Sequence, residues 1–304
     1  MSGACPVTLE ELAGLEARVQ RALASGDVGD LTVIGFGEIS SVLLLEAAAG
    51  RFACKRMPRF DGAERVARYG ALLDEYLAAL RAAGVAPVES WLMALAQPDG
   101  ARIVYIVQPL LDPAGLGPSL LRAHAERPAG DAEVAHRIDA IVAATVRCVS
   151  STVGLDAQLS NWVFVGDELR YLDVTTPLLQ DARGQTRLDT DLFLASLPAL
   201  LRWPVKRLVL PDILARYHDR RRALRDLVAN LHKERLAARV PDFLARVNRD
   251  LEGAPLTAEE CLKDYRSDAS TWALLQTLRR WDRAWQRRVR RRGYPFLLPG
   301  PIER

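Results

Sequence analysis

The chain has 304 residues, of which 49% are hydrophobic and 26% charged, and its formal net charge is +3. That length and composition describe a globular protein of one large or two smaller domains, and the near balance of charge leaves no footprint for nucleic-acid binding. No apolar run reaches the roughly 18 residues of a membrane span, no signal-peptide pattern opens the chain, and the four cysteines, Cys5, Cys54, Cys148 and Cys261, form no CxxC pair. The expectation is a cytoplasmic protein with no membrane, no nucleic acid, no zinc and no disulfide framework.

Thr8 and Glu11 make a capping box, and Leu9, Leu12, Leu15, Val19 and Leu23 recur at helical spacing, which predicts a helix over 8–25. Next come three short strands, 31–36, 41–46 and 51–57, joined by glycine turns in an antiparallel meander. A helix over 61–83 is closed by Gly84 and followed by Pro87, and strands over 91–95 and 103–108 flank the turn Gln97-Pro-Asp-Gly100. The order over 31–108 is therefore β-β-β-α-β-β. Two prolines and two glycines between Gln108 and Gly117 mark the boundary to a mostly helical remainder. There the pattern predicts a helix over 131–150 and a hairpin from Asn161 to Val174 turning at Gly166-Asp167. Helices follow at about 189–202, 211–236, 240–251, 257–264 and 269–290. The expected organisation is an N-terminal helix (1–29), a β lobe (30–110) and a helical lobe (111–304), an α+β architecture.

Five features carry chemistry. Gly35, Gly37 and Ser40 punctuate the first hairpin, just before Val42. Glycines there let the backbone approach a phosphate closely, and equally make a tight turn. Lys55 sits inside an apolar strand, where an unpaired ammonium is costly, and points opposite to Cys54. Lysine fills only 4 of 304 positions, so its place one strand after the glycine turn stands out. Glu75 follows on the next helix as a partner for it, with Glu64 and Asp74 as rivals. Asp156 and Asn161 lie five residues apart in the loop before the hairpin, and Asp173 lies at the hairpin's far end. The returning chain should bring Asp173 close to Asn161, and an Asp–Asn pair suits magnesium shared with a phosphate. The basic stretch Arg287, Arg288, Arg290, Arg291 and Arg292 reads as a solvated helix end.

This ordered set resembles the protein-kinase-like superfamily: a glycine-rich loop, a strand lysine, a helix glutamate, a catalytic-loop Asp and Asn, then a metal-binding Asp. Within it the chain is most similar to the aminoglycoside and choline phosphotransferase branch, because Arg187-Leu-Asp-Thr-Asp191-Leu resembles the helix start of small-molecule kinases and no Ala-Pro-Glu motif occurs. The resemblance implies a two-lobed fold with ATP and magnesium between the lobes. Gly35, Gly37, Ser40 and Val42 would cover the phosphates, and Lys55, held by Glu75, would bind them. Gln108 to Leu111, Leu110 included, would meet adenine through the backbone. Asp156 would take a proton from an acceptor hydroxyl, and Asn161 and Asp173 would hold magnesium. The implied acceptor is a small molecule lying between the Asp156 loop and the helices after residue 205. A pseudokinase scaffold and a protein kinase with a dedicated partner protein are the alternatives. The departures are Ser40 for the third glycine, Gly154 where the family has a scaffold histidine, Gln158 where Ser/Thr protein kinases place a lysine, and Val174-Thr175 after the metal Asp.

Overall fold

The computed structural model describes residues 3–25, 27–36, 40–128, 131–195, 197, 199–267 and 277. The capping box forms: Glu11 N–H donates to Thr8 Oγ1 (3.2 Å) and Thr8 N–H to Glu11 Oε2 (2.8 Å). It opens α1 (Leu9–Ser25), whose stripe Leu12, Leu15, Val19 and Leu23 is buried. That stripe packs on a five-stranded sheet of order β1-β2-β3-β6-β5, made of Val33–Phe36, Ser41–Ala47, Gly50–Phe60, Arg102–Pro109 and Trp91–Ala96. All neighbours in it are antiparallel. The N-terminal helix is thus part of the β lobe's own core, with Leu43, Leu45, Phe52, Cys54, Ile103, Tyr105 and Val107.

Strand alternation sends the other residues of β3 and β6 to the opposite face. Met57, Phe60, Val104 and Ile106 there join a second core with α2 (Ala63–Ala82) and the helical lobe. β3 is longer than its sequence pattern predicts. It continues through Pro58 across a register shift between Arg56 and Arg59, which is where a strand tolerates proline. α2 ends as predicted, with Gly84 at φ 74°.

The chain then makes a two-residue strand, β4 (Ala86–Pro87), that pairs parallel with β8 (Glu168–Tyr171) of the second-lobe hairpin. β7 (Trp162–Val165) completes this three-stranded sheet. The boundary segment is more ordered than a linker: it holds a 3₁₀ turn (Pro113–Gly115) and α3 (Gly117–Ala123). Its glycines serve close packing, since a Cβ on Gly117 would stand 2.6 Å from the Leu159 carbonyl oxygen. α4 (Ala132–Cys148) is capped by Asp131 and runs through the second core.

Two predicted helices are broken. The one over 189–202 becomes α5 (Thr190–Leu194) and α6 (Ala199–Pro204), and a π-helical turn (Val205–Val209) leads into α7 (Leu210–Tyr217). The one over 211–236 stops at His218 and restarts as α8 (Arg220–Lys233), because the Asp219 carboxylate caps the Arg222 N–H (2.8 Å). α9 (Val240–Asp250) and a helix over 258–267 follow. Apart from Thr277, the predicted helix over 269–290 lies outside the described residues, as do the arginines at 287–292. The α+β architecture, an antiparallel sheet in the N-terminal region followed by a helical C-terminal region, is the one the sequence predicts. Among the described residues no helix is long and apolar enough to cross a membrane. All four cysteines are free, and burial pushes the Cys54 and Cys148 thiols up to about 12.

Candidate active site

Three separate segments, β3, the loop over 156–161 and the stretch over 172–175, meet where the sheet faces the helical lobe. Lys55 lies between Val42 and Ile106 across the β3 ladders and points to the second lobe, while Cys54 points to α1. Its side chain is only 11% exposed, and its ammonium is paired. It donates to the Leu172 carbonyl (2.9 Å) and lies 3.4 Å from Asp173 Oδ1. The Thr175 hydroxyl donates to that same carboxylate oxygen (2.7 Å). Burial alone would raise the Asp173 carboxyl, but the Lys55 charge and the Thr175 hydroxyl outweigh it and hold it below the ordinary range.

Asp173 and Asn161 come together as the hairpin predicts. Leu172 N–H donates to the Asn161 carbonyl (2.8 Å), which locks the residue before Asp173 onto Asn161. The Asn161 side-chain amide donates to the Asp156 carbonyl (3.1 Å), and the Asp156 carboxylate accepts the Gln158 N–H (3.2 Å). Asn161 Oδ1 therefore faces away from the bonded side of its amide.

The loop carrying Asp156 is held by aromatic groups that sequence reasoning missed. The Tyr76 hydroxyl donates to the Gly154 carbonyl (3.1 Å), the Tyr171 hydroxyl to the Asp156 carbonyl (3.1 Å), and Trp162 Nε1 to the Ala157 carbonyl (3.2 Å). Trp162 and Tyr171 stack edge to face, with centroids 5.1 Å apart. The available signal was the Tyr and Trp polar groups inside apolar runs, since buried ones find a partner.

Three expectations are corrected. Glu75 does not hold Lys55; it forms a two-pronged ion pair with Arg187 (2.6 and 3.0 Å) on an exposed face. The buried stripe of α2 runs through Tyr69, Leu72, Leu73, Tyr76 and Leu80, so Glu75 lies beside it and not on it. Gln108 does not open toward a base. It is 1% exposed, its backbone sits in the β3–β6 ladder opposite Ala53, and its amide donates to Ser90 Oγ and the Leu172 carbonyl (both 3.0 Å). The Leu110 N–H is likewise committed to the Arg51 carbonyl (2.9 Å), because the ladder continues past the strand end.

Gly35 pairs with Val42, and a Cβ there would make only an ordinary 3.6 Å contact with it, so the protein's own packing does not require glycine. Ser40 leads into β2, with Val42 on the face shared with Lys55. Gly37 lies outside the described residues. Five arginines of α7 and α8 are tied within the protein. Arg216 pairs with Asp226, Arg221 with Glu260, Arg222 with Asp212 and Arg225 with Asp264, and Arg220 donates to the Val149 carbonyl. Among the described residues no three of His, Cys, Asp and Glu group as a metal site.

Among solved structures, the chain is similar to WaaP in complex with acyl carrier protein, with 16% identity, a TM-score of 0.41, and coverage of 86% of this chain and 90% of that one. No curated protein matches the sequence. The family of unknown function DUF6206 matches residues 14–283, and the chain belongs to that family.

Proposed function

We propose that the protein is an ATP- and magnesium-dependent phosphotransferase acting on a hydroxyl of a small molecule. The observation that carries this reading is the convergence of Lys55 from β3, Asp156 and Asn161 from the loop before the hairpin, and Asp173 from the hairpin's end. A lysine and an ionised aspartate neutralise each other there. That pair can open onto a phosphate and its metal without leaving a charge unpaired.

The residues fit magnesium. Asp173 is held ionised, and the Asn161 amide nitrogen is tied down, so its oxygen is the atom presented. One carboxylate and one amide oxygen suit an ion that keeps waters and shares phosphates. The ion would neutralise charge developing on the transferred group. Lys55 binds phosphate oxygens, Asp156 takes the acceptor's hydroxyl proton, and the Tyr76, Tyr171 and Trp162 bonds fix the Asp156 loop for that task. Gly35 and Ser40 allow close approach of phosphates to β1 and β2. Adenine recognition by Gln108 and Leu110 is no part of the proposal.

A second reading, a nucleotide-binding scaffold without transfer, is favoured by one observation: Lys55 receives no carboxylate from α2. A thermal-shift titration with ATP and magnesium tests the common ground. Ligand linkage should raise the wild-type midpoint progressively, with about 2.7 kcal/mol at a hundredfold excess over Kd. Asp173→Ala should abolish the magnesium-dependent part. No rise in the wild type would defeat both readings. Binding without ADP formation across a panel of alcohols would select the scaffold.

A further inference from the structure

We propose that Lys233, on the last turn of α8, is the cation that meets the terminal phosphoryl group of the nucleotide beside Asp156. The inference rests on the phosphotransferase reading and extends it to a residue outside the resemblance.

Gln158 joins the two groups. Its N–H donates to the Asp156 carboxylate (3.2 Å), and its side-chain oxygen accepts both Lys233 Nζ (3.2 Å) and the Asn230 amide (3.1 Å). Asn230 and Lys233 are three residues apart on one face of α8, and α8 packs on the 159–161 turn. Asn230 is 6% exposed, and its own Oδ1 is buried without a hydrogen-bond partner. A buried amide is therefore invested in aiming Gln158, and Gln158 in turn places the ammonium.

Among the three lysines with a side-chain partner in the described residues, this one differs in what it meets. Lys55 faces Asp173 and Lys206 faces Asp191, each with a carboxylate partner. Lys233 meets a neutral amide oxygen. An ammonium gains less from an amide than from an anion, so an arriving phosphoryl group competes well for it. That group carries negative charge toward a hydroxyl beside the Asp156 carboxylate, where like charges repel. Lys55 is engaged on the Asp173 side, and Arg216, Arg221, Arg222 and Arg225 are tied to carboxylates of their own. Lys233 supplies positive charge on the Asp156 side.

The test is calorimetric titration of the full-length protein with a non-hydrolysable ATP analogue and with ADP, both with magnesium, for wild type, Lys233→Met and Lys233→Arg. The side chain is exposed, so the variants should keep the ligand-free melting midpoint. Lys233→Met should weaken the ATP analogue about tenfold, the cost of one hydrogen bond to a charged group. ADP affinity should be unchanged, and Lys233→Arg should retain most of the analogue binding. Equal loss for both nucleotides, or loss for neither, would overturn the role of Lys233 and leave the phosphotransferase reading standing. A wild type that binds neither nucleotide would sink both.

Discussion

The imidazole of His218 occupies the space that a side chain on Gly154 would fill. A Cβ on Gly154 would lie 2.9 Å from both Cε1 and Nε2 of His218 and 3.0 Å from Leu178 Cβ. The kinase-like resemblance of the sequence leads one to expect a histidine at this position; the chain has a glycine, and an imidazole from the end of α7 packs against it. The surrounding bonds are tight: Gly154 N–H donates to the Leu178 carbonyl (2.8 Å) and Leu155 N–H to the Tyr217 carbonyl (3.0 Å). Gly154→Ala should therefore overpack the loop and cost about 1–3 kcal/mol. His218→Ala in the same chain should recover part of that loss, because it removes the clashing ring. Urea unfolding of the two single variants and the double variant checks the sign of the coupling.

His218 also sets a pH dependence. Burial lowers its pKa, so the unfolded chain binds the proton first as pH falls. Stability should then decline as pH drops below about 6.5, the ordinary histidine value. The His218→Ala variant should lack this component of the decline. Denaturation midpoints of both proteins between pH 7.5 and about 5 provide the comparison.

Lys55 and Asp173 make a second pH-sensitive pair. Lys55→Met leaves the Asp173 carboxylate partly buried without its cation, which should cost about 1–3 kcal/mol at neutral pH. The folded-state pKa of Asp173 is depressed, so the pair's contribution is present above the ordinary carboxylate value of about 4 and is lost as pH falls through the lowered one. The stability gap between wild type and Lys55→Met should be wide at pH 7 and close on acidification. A gap that stays constant would mean that Lys55 stabilises by packing alone.

The longer elements through Asp173 were legible because period-two and period-3.6 patterns and glycine turns are local signals, whereas the two-residue β4 and the short α3 are too brief to show a period. The side of β3 that Lys55 takes followed from alternation with Cys54. Rotation of a helix about its axis is set by long-range packing, and there the reading failed for Glu75. Its neighbour Tyr76 is buried and bonded to Gly154, so one residue's offset turns Glu75 outward. His218, Asn230 and Lys233 were beyond reach for a different reason: they approach the Asp156 loop from helices more than sixty residues away, and no local period records that. Gln108 was placed by the resemblance alone, and no local signal records that Ser90 and Leu172 satisfy its amide inside the core.

Glu75 offers a direct check on that correction. In its two-pronged pair with Arg187 the side chains are 52% and 42% exposed, and exposed pairs contribute little. Glu75→Gln should leave the melting midpoint and the magnesium-dependent nucleotide shift nearly unchanged, whereas Lys55→Met should abolish the shift. A large loss of nucleotide binding in Glu75→Gln would show that the helix rotates to engage Lys55 on binding.

The β lobe contains its own buried charge pair, which predicts a strong non-additivity. Glu16 of α1 and Arg56 of β3 are 5% and 7% exposed and bond at 2.8 Å through both prongs. The Tyr105 hydroxyl (2.5 Å) and the Gln20 amide (2.5 Å) also donate to the Glu16 carboxylate. Burial would raise the Glu16 carboxyl, yet Arg56 and these donors hold it below the ordinary range. Removing one partner strands the other charge in the core, so Glu16→Leu and Arg56→Met should each cost about 3–5 kcal/mol. The double variant should cost less than either, because no buried charge is left. It should still leave the Tyr105 hydroxyl unsatisfied, a penalty of about 1–3 kcal/mol that adding Tyr105→Phe relieves. A stability series over the two single, the double and the triple variants reads this out, and simple additivity would mean that α1 leaves the sheet when the pair is broken.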